Sequence, residues 1–147
     1  MMLQAFQFLA TFCAALFAGA ALYINLVEHP ARLGLDTRAA AMQWAPSYKR
    51  ATWMQAPLAL LSFLCGTGVW FMGAGAAWFV AAVLIGVVVP FTFIVIMPTN
   101  HKLLAPGRDL GSAETRTLLE NWGRFHAVRT VLSLLATVLY MWLLMRT

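Results

Sequence analysis

Charge is scarce in this sequence and unevenly spread. Its 147 residues include 10 Lys or Arg and 5 Asp or Glu, and four long stretches, about residues 3–27, 53–72, 76–97 and 128–144, contain no Asp, Glu or Lys. Arg129, at the edge of the last stretch, is the one arginine among them. A soluble domain has about a quarter of its residues charged, so a chain that is 10% charged and 62% hydrophobic is excluded from that class. Each stretch instead meets the roughly 20 apolar residues needed to cross a hydrocarbon core. The two cysteines, Cys13 and Cys65, fall mid-span, where a disulfide framework has no use, and read as packing residues. Repeats and low-complexity tracts are absent. Ala18-Gly19-Ala20 resembles a signal-peptide cleavage site, but no Lys or Arg precedes the first apolar run and that run is too long, so it reads as a retained span. The span interiors also lack the ionisable residues and broken-helix signals of a transport pathway.

What is present describes an all-α protein: a transmembrane four-helix up-down bundle, with residues 1–147 forming a single membrane domain. Phe71-Met72-Gly73-Ala74-Gly75 is a tight uncharged turn that makes the second and third spans antiparallel neighbours. The other two connections, about residues 28–52 and 98–127, are long, polar and on the same face. They carry Arg32, Arg38, Lys49, Arg50, Lys102, Arg108, Arg116 and Arg124, against Arg146 alone at the other end. The positive-inside rule therefore places both loops in the cytoplasm and both termini outside it, in the plasma (inner) membrane. The same asymmetry accounts for the basic pI, so no nucleic acid is needed as a partner. Within the loops, Asp36 is an N-cap candidate for residues 37–45, Pro46 suits the first turn of a further helix, and Ser112 caps a helix that runs into the fourth span. Pro57 and Pro90 are expected to kink spans two and three.

Polar side chains collect in one layer. His29, His101 and His126 fall at the same ends of spans one, three and four, with all five acidic residues on that side. Asn25, Glu28 and His29 share a face in the last turn of the first helix. Trp122, His126 and Arg129 fall within about 60° of arc on the fourth. Tyr48, Arg50 and Trp53 enter the second helix at this level, and Asn100 ends the third. Snorkelling and interfacial belts explain Arg38, Lys49, Lys102, Arg108, Arg116 and Arg124. Glu28, His126 and Arg129 adjoin apolar faces and are expected to pair with one another, which makes them functional candidates. A structural Glu28–Arg129 or Glu28–Arg32 ion pair stands beside that reading. Glu28, His29, His101 and His126 offer ligands for zinc, iron or copper, with Glu28, His29 and His126 the candidate set, although no HxxxH or ExxH spacing fixes two on one face. At the opposite end Gln4, Gln7 and Thr11 suggest interhelical hydrogen bonding. Ala14, Ala18, Ala21, Gly66 and Gly68 read as close-packing positions.

Four segments carry a resemblance that covers nearly the whole chain. They are Phe17-Ala18-Gly19-Ala20 leading to Glu28-His29-Pro30-Ala31-Arg32; Trp44 with Tyr48-Lys49-Arg50; Pro90-Phe91-Thr92 with Met97-Pro98-Thr99-Asn100; and Trp122 with His126 and Arg129. In this order and spacing they resemble the anthrone oxygenase-like family of small four-helix membrane proteins, most of which have no assigned function. The resemblance implies a membrane-bound oxygenase that oxidises a flat, electron-rich aromatic with dioxygen, as in the conversion of an anthrone to an anthraquinone in fungal polyketide pathways. It leaves open whether a metal or flavin takes part. On that basis His126 is the candidate base, Glu28 orients its imidazole or acts as the base itself, and Arg129 and Asn100 stabilise the developing oxyanion. Trp44, Tyr48 and Trp122 stack on the aromatic, with Arg32 and Arg50 in the substrate-binding set.

Two other classes compete: a redox module holding haem, copper or a quinone between the helix ends, and a non-catalytic membrane subunit. The partners expected in every case are the lipid bilayer and, for an enzyme, a small hydrophobic or aromatic substrate. A homo-oligomer is compatible with each.

Overall fold

Four helices, α1 (Met2–Leu33), α2 (Thr37–Ala74), α3 (Ala76–Leu103) and α4 (Ala113–Leu144), make up nearly all of the computed structural model, which describes residues 1–146. All four are long and apolar enough to cross a membrane, and the protein is an integral membrane protein. At 1.5 Å per residue even the 28-residue α3 exceeds a hydrocarbon core of about 30 Å, so the helices extend past the apolar layer. Each helix packs on its neighbours in the chain and α4 closes against α1, giving the expected up-down bundle.

The polarity is inverted relative to a soluble bundle. Phe8, Leu64, Val131 and Val138 are exposed, while the interior holds Ala10, Ala14, Ala21, Ala59, Ala81, Ala82 and Ala136 around Phe17, Trp78, Ile85 and Tyr140. Apolar side chains lose nothing by facing lipid, so association relies on close approach of small residues. Gly66 shows how close: a Cβ added there would stand 1.9 Å from the Tyr140 hydroxyl oxygen. Both cysteines are buried and free. The polar stripe near the start of α1 works differently from expectation. Thr11 donates to the Gln7 carbonyl of its own helix (2.9 Å), and the interhelical bond comes from Ser62, which donates to the Ala10 carbonyl (2.8 Å). A hydroxyl in a helix reaches its own i−4 carbonyl without strain and so takes it first.

The caps are where the sequence places them. Asp36 accepts from the Ala39 amide, and Ser112 from the Thr115 amide. Gly73 and Gly75, at φ 86° and 103°, make the turn between α2 and α3. Pro46 is a correction: it starts no helix, because α2 runs unbroken through it. The ring costs the Met42 carbonyl its helical partner, and Met42 lies on the exposed side of α2, where another donor can take that place. Two prolines reshape their helices instead. Pro30 and Pro98 each follow a single π-helical turn, Ile24–Glu28 and Thr92–Ile96, in which the next amide bonds the carbonyl five residues back. A proline ring clashes with the carbonyl four residues before it, and widening the turn relieves that clash. π turns of this kind re-aim side chains and are frequent at functional sites.

Candidate functional site

The π turn of α1 presents Asn25 to α4. Its Nδ2 donates to the Gly123 carbonyl (3.1 Å), which fixes the amide so that Oδ1 faces His126 Nδ1 (2.7 Å) and the Thr130 hydroxyl. An amide oxygen only accepts. His126 therefore carries its proton on Nδ1, and Nε2, which has no hydrogen-bond partner among the described residues, is left with its lone pair. The ring is 1% exposed and stacks on Trp122 at 4.9 Å.

One turn further along α4, Arg129 donates from Nη2 to Gln55 Oε1 (2.8 Å), and its guanidinium lies 5.4 Å from the centre of the Phe17 ring. Among the described residues no ion pair includes Arg129. His126, Arg129, Gln55, Trp122, Tyr48 and Arg32 enclose a cavity of about 10 Å³, enough for one water-sized molecule. Three of its donors, Arg129 Nε, Gln55 Nε2 and Trp122 Nε1, are buried without an acceptor. Each costs about 1–3 kcal/mol unless something fills it. The cavity thus combines one lone pair on an imidazole with several unfilled N–H groups and an unpaired cation, an arrangement suited to an oxygen-bearing, electron-rich ligand.

Beside it lies a second polar network with a different character. Arg32, 3% exposed, donates to Glu28 (2.5 Å), to Gln43 and, from Nη1, to His29 Nδ1 (2.9 Å). Ser47 donates to the same Glu28 oxygen. With Nδ1 accepting, His29 has its proton on Nε2, which donates to the Leu119 carbonyl (2.9 Å). This network ties the end of α1 to α2 and α4 and is complete in itself.

Several expectations change. Glu28, His126 and Arg129 do not pair with one another: Glu28 takes Arg32, which is one turn away on its own helix, and Asn25 orients the imidazole in its place. His29 has both nitrogens engaged, and among the described residues no three His, Cys, Asp or Glu side chains assemble as metal ligands, so the Glu28, His29 and His126 set does not form. Asn100 is fully buried, its side chain makes among the described residues only a long contact to Met97 Sδ (4.0 Å), and it does not line the cavity. Trp44 stacks on Tyr48 at 5.1 Å and meets Trp122 edge-on at 5.9 Å, so each ring already has an aromatic partner; Tyr48 and Trp122 line the cavity and Trp44 does not. Arg50 and His101 are exposed. Gln55 escaped sequence reasoning, although it is the only amide in the second apolar stretch. Asn25 was visible as a polar neighbour of Glu28 but not as the partner of His126, because that contact spans 101 residues.

Residues 44–139, which hold Tyr48, Gln55, His126 and Arg129, match the family model described as anthrone oxygenase. The chain belongs to the anthrone oxygenase family. Similar members include anthrone oxygenase ptaC of Pestalotiopsis fici, 33% identical over 122 residues, which are 72% of this chain and 85% of that protein. Anthrone oxygenase tpcL of Aspergillus fumigatus is 39% identical over 70 residues, 46% of this chain, and the match spans 44% of the relative's length. No solved structure matches the chain. Family membership supports an oxygenase-like function, and the match to the family model runs from within α2 through α3 into α4.

Proposed function

We propose that the protein is a membrane-bound oxygenase that oxidises an anthrone-type phenolic aromatic to the corresponding quinone, with His126 as general base and Arg129 as the oxyanion partner. The observation that carries this reading is the tautomer of His126: Asn25 holds Nδ1–H, so the lone pair of Nε2 is available beside an unpaired guanidinium. Nε2 removes the hydroxyl proton of the substrate's enol tautomer. The negative charge rests on that oxygen, where Arg129 and the free donors of Gln55 and Trp122 stabilise it, and is shared with the ring carbon opposite. This anion gives one electron to dioxygen, and the radical and superoxide join at that carbon, which restores the carbonyl. The resulting peroxide takes up one proton, and the imidazolium releases the one it holds. Loss of the second methylene proton with cleavage of the O–O bond leaves the new carbonyl and releases water, so each atom of one dioxygen is placed.

A positioned base contributes about 10²–10⁴-fold and an oxyanion donor about 10²–10³-fold. The test is oxygen uptake and quinone formation with 1,8-dihydroxyanthrone, using protein in lipid nanodiscs. Wild type should consume one dioxygen per quinone, and His126→Ala should lose at least a hundredfold. Uptake equal to that of empty nanodiscs would reject the reading. An inward-facing charged end remains part of this proposal, since the positive-inside bias supports it.

A further inference from the structure

We infer that the ring system of the substrate binds in a lateral groove between α2 and α3 and reaches it from the bilayer, with only its oxygenated edge entering the polar cavity. The inference rests on the proposed oxygenase reading for the identity of the ligand, but its argument is one of space. A polar cavity of about 10 Å³ cannot hold a tricyclic aromatic. Pockets for such ligands run to about 300–1,000 Å³, so the rings must lie elsewhere while one oxygen reaches Arg129.

The structure offers a continuous route. Tyr48, Thr52 and Arg129 are shared between the polar cavity and a chamber of about 90 Å³ that runs outward between α2 and α3. Thr52, Ala56 and Val89 are shared in turn between that chamber and an apolar groove of about 540 Å³ on the outer surface, which Trp53, Pro57 and Leu60 complete. The groove exists because the two helices separate. α2 packs closely along the Ala76–Gly86 part of α3 and touches the rest little; Pro57 lines the groove, and Pro90 lines an adjoining apolar pocket that shares Leu60 and Val89 with it. Its outer wall faces lipid: Leu60 and Trp53 are 55% and 84% exposed within an apolar helix.

The other approach is closed. Trp44 and Leu119 lie one and two helical turns toward the charged end from Tyr48 and His126, and they pack with Ile24, Leu103 and Trp122 into a cluster in which none is more than 6% exposed. The Glu28–Arg32 network reinforces that plug. A planar phenol partitions into the bilayer, so a side entrance draws on the phase where it is concentrated. It also lets the rings stay in lipid-like surroundings while the reacting edge meets Arg129.

The test measures entry separately from chemistry. Association of 1,8-dihydroxyanthraquinone with protein in phosphatidylcholine nanodiscs is followed by stopped-flow quenching of native tryptophan fluorescence, alongside turnover of 1,8-dihydroxyanthrone. Ala56→Phe and Val89→Phe narrow the groove, Ala56→Leu is the milder version should Phe disturb folding, and Val138→Phe adds bulk on the lipid face of α4, away from it. The expected result is association slowed at least tenfold in both groove variants, with a matching fall in kcat/KM and unchanged thermal unfolding, and no change in Val138→Phe. Association at wild-type rates in the groove variants, or wild-type protein that does not bind the probe, would overturn the inference. Slowed association without turnover in wild type would reject the oxygenase reading and keep the groove. Turnover indifferent to the groove variants would do the reverse.

Discussion

Gly123 lies directly against the His29 ring: a Cβ built on it would fall 2.6 Å from His29 Cδ2 and 2.7 Å from Nε2. The same residue offers its carbonyl to Asn25 Nδ2, so one glycine in α4 receives both side chains by which α1 is registered there. In an ordinary mid-helix position Gly→Ala stabilises by about 1 kcal/mol. At this position Gly123→Ala should do the opposite, pushing His29 off the Leu119 carbonyl and moving Asn25 relative to His126. The expected outcome is a lower Tm together with at least a tenfold loss of oxygen uptake. A variant as stable and active as wild type would mean that α1 and α4 are not held at this point.

Asn25 should behave as a positioning residue. In Asn25→Leu the imidazole keeps its place against Trp122 but loses the acceptor that sets its tautomer. Loss of comparable orienting partners costs about 10–100-fold, and the fall should appear in kcat with KM nearly unchanged, because Asn25 does not line the cavity. Thr130→Val removes one further bond to the same oxygen and should cost a few-fold. Steady-state kinetics of the two variants side by side check the order; equal losses, or a loss confined to KM, would contradict it.

The architecture was legible because the bilayer imposes it. Charge-free stretches, one Gly-x-Gly turn and two side-chain caps suffice to set four antiparallel helices, and these appear as expected. The level of the site was legible for the same reason, since polar residues near span ends must share a layer. The pairing inside that layer was not. Whether Glu28 meets His126 or Arg32 depends on the rotation of α1, and the π turn at Ile24–Glu28 shifts the phase of every residue after it. A helical wheel at 3.6 residues per turn has no way to register an added residue. Trp44, Tyr48 and Trp122 read as stacking platforms, but Trp44 stacks on Tyr48 and Trp122 on His126, contacts that no helical wheel contains. Gln55 was passed over because one amide does not interrupt an apolar stretch.

The carboxylate of Glu28 serves Arg32 and Ser47 rather than the cavity. Glu28→Gln keeps a hydrogen-bonding oxygen for both but leaves Arg32, 3% exposed, without its counter-charge. Stability should fall, on the order of 3 kcal/mol at most, while kcat stays within about tenfold of wild type. Thermal unfolding and turnover of one preparation separate the two effects. A loss in Glu28→Gln as large as that in His126→Ala would return Glu28 to the reacting centre.

Arg129 presents the opposite balance. Among the described residues its guanidinium is held in the bundle by Gln55 and the Phe17 ring alone, and an ionised group so placed is costly to the fold. Removing it should therefore not weaken the protein: Arg129→Met, which keeps an unbranched apolar stem without the charged head, is expected to unfold at the wild-type temperature or above. Activity should fall about 10²–10³-fold, as for loss of an oxyanion donor. Arg129→Lys keeps the charge but not the planar fork that bonds Gln55 and an oxyanion together, so it should recover only part of that loss. The combination of undiminished Tm and lost turnover marks a residue kept for its ligand; a fall in both would mean that Arg129 holds the helices together instead.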